Sequence, residues 1–482
     1  MSPVGRVCRN DLISMARNRV AAVAILLTLL LSIVAALTSI AHRDTNADMR
    51  ARFQAEADTR FDGQPARHPH RVVHYGHFVF RVPPPLAAFD PGVDAFTGNS
   101  IYLEGHRQNS ANFGDVRQSS LLARFGTLTP AFVLQILAPL VLIFIGFAVI
   151  VREREAGTLR QTMAQGLRAR QLVTGKLLAL LTAAALLGAP GAFALGWLVM
   201  ADGAPALPAL VLASAYAVYL AIWASLILFV SARASTSRGA LLLLLSIWAA
   251  FAILIPRIAP DFAFAAHPTQ TRLETDIAIQ RELRQMGDSH NPDDRHFAAF
   301  KQSVLERYGV ERVEDLPVNY RGLLAMEGER ISSLLFERYA EQLATDQRQQ
   351  SRFALMAAAF SPTIALRDFS MRAAGTDQEA HRRFLTQAEA YRYFIVQQLN
   401  RLQAETLTYA DDSNRNGDPD AARRVRIDTD NWQALPDFGY QAADPRAQLR
   451  STLPAAIWLA IWLGLSGVLL IATVHSLRRS AA

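Results

Sequence analysis

The stretch REREAGTLRQTMAQGLRARQLVTGK, residues 152–176, carries charges of both signs and lies between two strongly apolar runs. It is too short to form a domain and too patterned to be a mere turn. The flanking runs, residues 130–151 and 177–200, hold no charged residue. Each has about the ~20 residues that an α-helix needs to cross the hydrocarbon core of a bilayer. Four more blocks of the same kind occupy residues 20–41, 207–232, 239–256 and 454–474. The first of them is too long for the core of a signal peptide. Backbone polar groups inside lipid must be satisfied within the segment, which a lone run of this length achieves only as a helix. The pattern predicts a mainly α, polytopic membrane protein with six transmembrane helices, TM1 to TM6 in chain order.

Orientation follows from arginine and lysine, which are retained on the cytoplasmic side of span ends. Arg6, Arg9, Arg17 and Arg19 precede TM1, and Arg152, Arg154, Arg160, Arg168, Arg170 and Lys176 follow TM2. Arg233 and Arg238 join TM4 to TM5, and Arg478 and Arg479 follow TM6. With six spans, all four groups fall on one side. Both termini and residues 152–176 are therefore expected in the cytoplasm, and residues 42–129 and 257–453 outside. Residues 1–19 read as a connecting helix along the membrane surface with Leu12, Ile13 and Ala16 inward, and residues 475–482 as a short tail.

Of the 482 residues, 51% are hydrophobic, and much of the net charge of +7 lies in juxtamembrane arginines, so no nucleic-acid partner is implied. Cys8 is the single cysteine, and the external segments must fold by packing without an internal disulfide.

Residues 42–129 open with a polar helical pattern at 48–60 and then turn extended. Val72, Val73, Phe78, Val79 and Phe80, followed by Pro83, Pro84 and Pro85, read as short strands ended by proline. A small mixed α/β domain is expected. Residues 257–453 read as a larger helical domain. Thr376 and Glu379 have capping-box spacing, after which Phe384, Ala388, Tyr391, Ile395, Leu399 and Leu402 form one apolar stripe. Ile331, Leu335, Tyr339 and Leu343 mark a partner helix, predicted to pack antiparallel on the first, with shorter helices between 271 and 308 padding the pair.

His68, His70, His74 and His77 invite a metal reading, but no cysteine is near, the spacing matches no standard zinc pattern and Pro69 stiffens the chain. No metal is expected there. Asp412, Asn414, Asn416 and Gly417 match the opening of a calcium loop, yet Arg423 stands where a bidentate Glu is required, so a turn-rich surface loop is expected. Neither G-x-S-x-G nor H-E-x-x-H occurs, and the TGK at 174–176 has Arg170 where a P-loop needs glycine. The six apolar blocks hold no Asp, Glu, His or Arg in their interior, which argues against an ion-coupled carrier. The chain reads as no enzyme, and energy for transport would come from another subunit.

Within residues 152–176, Thr158 and Gln161 have capping-box spacing, and Gly166 is placed to end the helix that Thr158 begins. Leu159, Met163 and Leu167 share one face, while Arg160 and Gln161 turn to water. Spacing alone fits a solvated, positively charged loop equally well.

The run Glu155, Ala156, Gly157, Thr158, Leu159, followed by Arg170 and by Gly175 and Lys176 at the next span, resembles the E-x-G-T-L segment between the second and third spans of ABC-2-type transporter permeases. In that family the segment is a coupling helix that docks on a separate cytoplasmic ATPase. HYGHFVF (74–80), DPGVDAFTGNSIYLEGHRQN (90–109) and SPTIALRDFSMRAAGTDQEAHRRF (361–384) are similar to segments of a bacterial ABC-2 subfamily with large external loops, described largely as a domain of unknown function. Standard members have small outer loops at both places, so the resemblance carries over no substrate class. It implies the permease subunit of an ATP-driven exporter in the bacterial inner membrane, paired as a homodimer or heterodimer. ATP and Mg2+ would be bound by the partner ATPase, with no cofactor on this chain. The ATPase-coupling residues it implies are Glu153, Arg154, Glu155, Gly157, Thr158, Leu159, Gln161 and Met163. Among them Glu155 would make polar contact with the ATPase, Gly157 the tight turn, Thr158 the cap and Leu159 the docking face. One alternative is a mechanotransmitter whose external domains are moved without cargo; another is an anchored receptor with no ATPase.

Overall fold

The computed structural model describes residues 2–109, 111, 128–287 and 294–481. Among the described residues six helices are long and apolar enough to cross a membrane: Ala21–Asp62, Pro130–Glu155, Ala169–Ala201, Ala206–Arg233, Ser237–Ala266 and Leu453–Arg479, TM1 to TM6. TM2 and TM4 form the middle of the bundle, with 61% and 56% of their most apolar stretch buried against 17% for TM1, TM5 and TM6. TM4 supplies the large buried rings Tyr216, Tyr219 and Trp223. TM1 and TM6 instead present Leu26, Leu30, Leu37, Ile457, Ile461 and Ile471 outward, a face suited to lipid or to another apolar chain.

TM1 is longer than a bilayer requires. Its helix, Arg19–Asp62, has 44 residues, about 66 Å at 1.5 Å per residue. No glycine or proline interrupts it before Gly63, so the polar helical pattern at 48–60 continues the span rather than forming a separate element. TM5 likewise runs past Pro256 and Pro260 to Ala266, with a wide π turn at Ala249–Leu254. That turn falls where Pro256 withholds its amide from the preceding residues.

One end of the bundle, the basal end, carries the helix Pro3–Arg17, the segment after TM2 and the TM4–TM5 link. At the distal end, strands His77–Phe80 (β1) and Ser100–Leu103 (β2) pair antiparallel, His77 opposite Leu103 and Phe80 opposite Ser100. Val72 and Val73 are not strand, contrary to the sequence reading. They belong to a short helix, Pro69–Val73, because the His68 ring accepts from the His70 amide and Pro69 supplies a preset first turn.

Two long helices, Tyr320–Met356 and Gln378–Thr406, run antiparallel. Gly322 lies against Ala404, Glu329 meets Arg392 at 2.5 Å and Glu341 meets Arg382 at 3.5 Å. Phe384, Ala388, Ile395, Leu399, Ile331 and Leu335 are buried as their periodicity demands. Leu343 is exposed, outside the cluster in which Ile279, on helix Arg272–Met286, covers Leu335 and Phe336. The cap of the second helix is Asp377, which accepts from the Ala380 amide at 3.2 Å. Thr376, expected as the cap, is fully buried, and its hydroxyl donates to the Asp90 carbonyl at 2.9 Å. Between the two long helices a third, Pro362–Ala374, packs on TM4 and TM6. It places Ala365, Leu366, Phe369 and Ala373 in the same apolar core as the spans.

Candidate functional site

The basal segment begins where TM2 ends in the turn Val151–Glu155, followed by the helix Thr158–Ala164. Gly157 joins them at φ 73°, a left-handed conformation that any Cβ makes costly. Gly157 therefore occupies the cap position. Thr158, read from sequence as the cap, donates its hydroxyl to the Glu153 carbonyl at 3.2 Å instead, and no capping box with Gln161 forms. Leu159 is buried in the core of the bundle, with Met163 and Leu167 packed partly against it. Arg160 and Gln161 are exposed.

Three of the four charged residues before Gly157 bind within the chain. Glu153 pairs at 2.6 Å with Lys176, which is 1% exposed and also meets Asp11 at 3.2 Å. Arg154 donates to the Ala234 carbonyl at 2.7 Å and to that of Ala232, carbonyls that the end of TM4 leaves without helical partners. Glu155, read as the polar contact for a partner, accepts from the amide of Ser237 at 2.8 Å and from its hydroxyl. Ser237 opens TM5, where first-turn amides are unpaired and a carboxylate is favoured. The acid–base–acid run thus ties the end of TM2 to TM3, TM4 and TM5.

Helix Pro3–Arg17 docks on this junction through Val7, Cys8, Leu12 and Met15. The expected inward residues Ile13 and Ala16 are exposed, because the buried side must carry Asp11 to Lys176. Gly175 permits the approach: a Cβ there would stand 2.7 Å from the Val7 side chain and 2.9 Å from the Val4 carbonyl. Asp11 was not singled out by sequence reasoning, although it is the lone acid before Asp44. Burial pushes its carboxyl up, with Lys176 opposing.

A second polar constellation lies toward the distal end. TM2 has its own wide turn at Val133–Leu137, and side chains satisfy the carbonyls around both π turns. Tyr219 donates to Gln135 O at 2.8 Å, the Trp248 indole to Ile136 O at 3.0 Å, and Ser361 to Phe251 O at 2.6 Å. The Gln135 amide reaches the Tyr216 hydroxyl at 2.8 Å, which shares a bond with Ser370 at 3.0 Å, and Ser370 donates to Asp90. Tyr219 meets Thr363 at 3.0 Å. Burial pushes the Asp90 carboxyl up. Helix Pro362–Ala374 is therefore bonded into TM2, TM4 and TM5. The available signal was Gln135, the one strongly polar side chain within residues 130–151.

The four clustered histidines separate. His68 bonds Asp412 at 3.0 Å and His77 bonds Asp58 at 2.8 Å. His70 and His74 stay together and are joined by His106, which the sequence pattern did not suggest. Asp412 is no part of a surface calcium loop. It is fully buried on helix Tyr409–Asn414 and accepts from Asn319 and Gln403, each at 2.9 Å, and from Arg415. Burial opposes its charge, but the bond to His68 and these amide donors hold the carboxyl well below its usual range.

Residues 7–304 match the family model described as ABC-2 family transporter protein, well over half of the chain. The chain belongs to that family. Residues 272–441 of this ABC-2 permease match a domain of unknown function, DUF3526, and that match takes in both long distal helices and the helix between them. No curated protein matches the chain. As an ABC-2 permease it is a multi-pass membrane subunit of an ABC transporter, a class that works with an ATPase subunit.

Proposed function

We propose that this permease works as an exporter in the bacterial inner membrane, with its basal end cytoplasmic, its distal mass outside, and residues 152–168 as the docking element for a separate ATPase. The supporting observation is the two-sidedness of helix Thr158–Ala164: Leu159 lies in the span core while Arg160 and Gln161 face out. A push on the exposed side is thereby delivered to the bundle, and Glu153, Arg154 and Glu155 spread it to TM3, TM4 and TM5. Gly157, Thr158, Gln161 and Met163 remain the docking group. ATP and Mg2+ belong to the partner, and a second permease completes the pair.

The double variant Arg160→Glu with Gln161→Arg changes only exposed side chains. It is expected to reduce co-purification of the ATPase and its stimulated hydrolysis in vesicles by tenfold or more. Unchanged association together with unchanged turnover would remove the docking role.

A second reading, mechanotransmission without cargo, is supported by the bonds that join helix Pro362–Ala374 to TM2 and TM4, since motion of the spans would move the distal helices. Loaded proteoliposomes distinguish the two. ATP-dependent efflux supports export; ATP-dependent change in distal crosslinking with no efflux of any cargo supports transmission.

A further inference from the structure

We propose that the distal domain holds a transition-metal site in which His70, His74 and His106 supply three imidazole ligands to one divalent ion of the Zn2+ or Cu2+ class, with Glu329 orienting His106.

The three rings offer nitrogens that all lie within 4.8 Å of one another. His70 and His74 stand one helical turn apart on helix Pro69–Val73 and its C-cap, the spacing that puts side chains on one face. Their Nε2 atoms are 3.1 Å apart. Two zinc–nitrogen bonds of about 2.0 Å at a tetrahedral angle place their nitrogens about 3.3 Å apart, so this pair is already at chelating distance. The His106 ring centroid lies 5.6 Å from that of His70 and 5.3 Å from that of His74.

His106 is held in place at a conformational cost. It has φ 62°, and among the described residues no other non-glycine residue has a positive φ. Such outliers persist where the surroundings enforce them. Two enforcing contacts are visible. The preceding residue, Gly105, donates its amide to the Val73 carbonyl at 3.2 Å and lies so close that a Cβ would stand 2.2 Å from the Val73 side chain. That contact clamps the turn bearing His106 to the helix bearing His70. Next, the His106 amide donates to Glu329 Oε2 at 3.2 Å, and its ring Nδ1 lies 3.2 Å from the same oxygen.

Glu329 is fully buried. Its other oxygen takes the Arg392 guanidinium at 2.5 Å, and Arg392 is fixed in turn by Glu389 and Ser333. A carboxylate on Nδ1 selects the tautomer whose Nε2 lone pair is free, which is the carboxylate–histidine–metal arrangement that orients ligating imidazoles. Three neutral nitrogen donors without thiolate suit Zn2+ or Cu2+ and not Ca2+ or Mg2+, which demand oxygen. The partial exposure of His74 and His106 leaves water access to a fourth position. None of this depends on the basal segment or on the ATPase.

The test uses the full chain in detergent, carrying an affinity tag free of histidine and stripped by chelator. Zn2+ is titrated in competition with a chromophoric chelator, and Co2+ is followed by visible absorption. One ion per chain and the intense visible band of four-coordinate Co2+ are expected. His74→Ala, at an exposed ring, and His106→Ala should each weaken Zn2+ binding at least tenfold, Glu329→Gln by about 10–100-fold, and the distant His475→Ala not at all. Wild-type chain that takes up no ion, or His74→Ala and His106→Ala with wild-type affinity, would overturn the site and leave only a hydrogen-bonded pair of neutral imidazoles.

Discussion

At the scale of single residues, the buried Lys176 and Asp412 each have partners built in at the same depth. Lys176 is 1% exposed between Asp11 and Glu153. Lys176→Met would leave two facing carboxylates without a cation, at a cost of about 3–5 kcal/mol. Thermal unfolding of the purified chain should show the drop, and adding Asp11→Leu should recover part of it. Asp412 makes the corresponding prediction in pH. Its folded carboxyl titrates below the unfolded value of about 3.9, so its contribution to stability is complete above that value and is lost as pH falls through the folded pKa. Asp412→Asn should lower stability at neutral pH by about 3 kcal/mol and flatten the acid limb of unfolding below pH ~4. Both partnerships escaped the sequence reading, because nothing local marks Lys176 as a buried ion or Asp412 as a hub.

At the scale of elements, helix Pro362–Ala374 decides how the distal mass is attached. Its own sequence shows an ordinary amphipathic segment, and only its neighbours show that it closes onto the spans. Leu366 is fully buried there, so Leu366→Ala should cost about 2–5 kcal/mol. Tyr219→Phe removes the hydroxyl between Gln135 O and Thr363 and should cost about 1 kcal/mol. Limited proteolysis around residues 357–377 should accelerate in both variants, more in the first. Gly157→Ala tests backbone alone, since a Cβ there meets nothing within 4 Å. Destabilisation of about 1 kcal/mol is expected from the left-handed φ, measured by denaturant unfolding.

At the scale of the whole molecule, the proposed orientation stands or falls on which end faces the cytoplasm. In a Cys8→Ser background, a cysteine at Asp420, whose side chain is 62% exposed, should react with an impermeant reagent on intact cells. One at Arg160 should react only after permeabilisation. The reverse pattern inverts the topology and removes the docking proposal.

The sequence by itself determined the six spans, the mainly helical class and the antiparallel distal pair. Length of an apolar run and periodicity of a stripe are properties of contiguous residues, so they survive without knowledge of neighbours. Tertiary structure decided the partners of isolated polar groups: Asp11 with Lys176, 165 residues apart, His68 with Asp412, 344 apart, and His106 with Glu329, 223 apart. It also moved Thr376 off its expected cap and engaged Glu155 with Ser237. A polar group gains most where its desolvation is compensated, and which group compensates it is fixed only when distant segments are brought together by burial of their apolar faces.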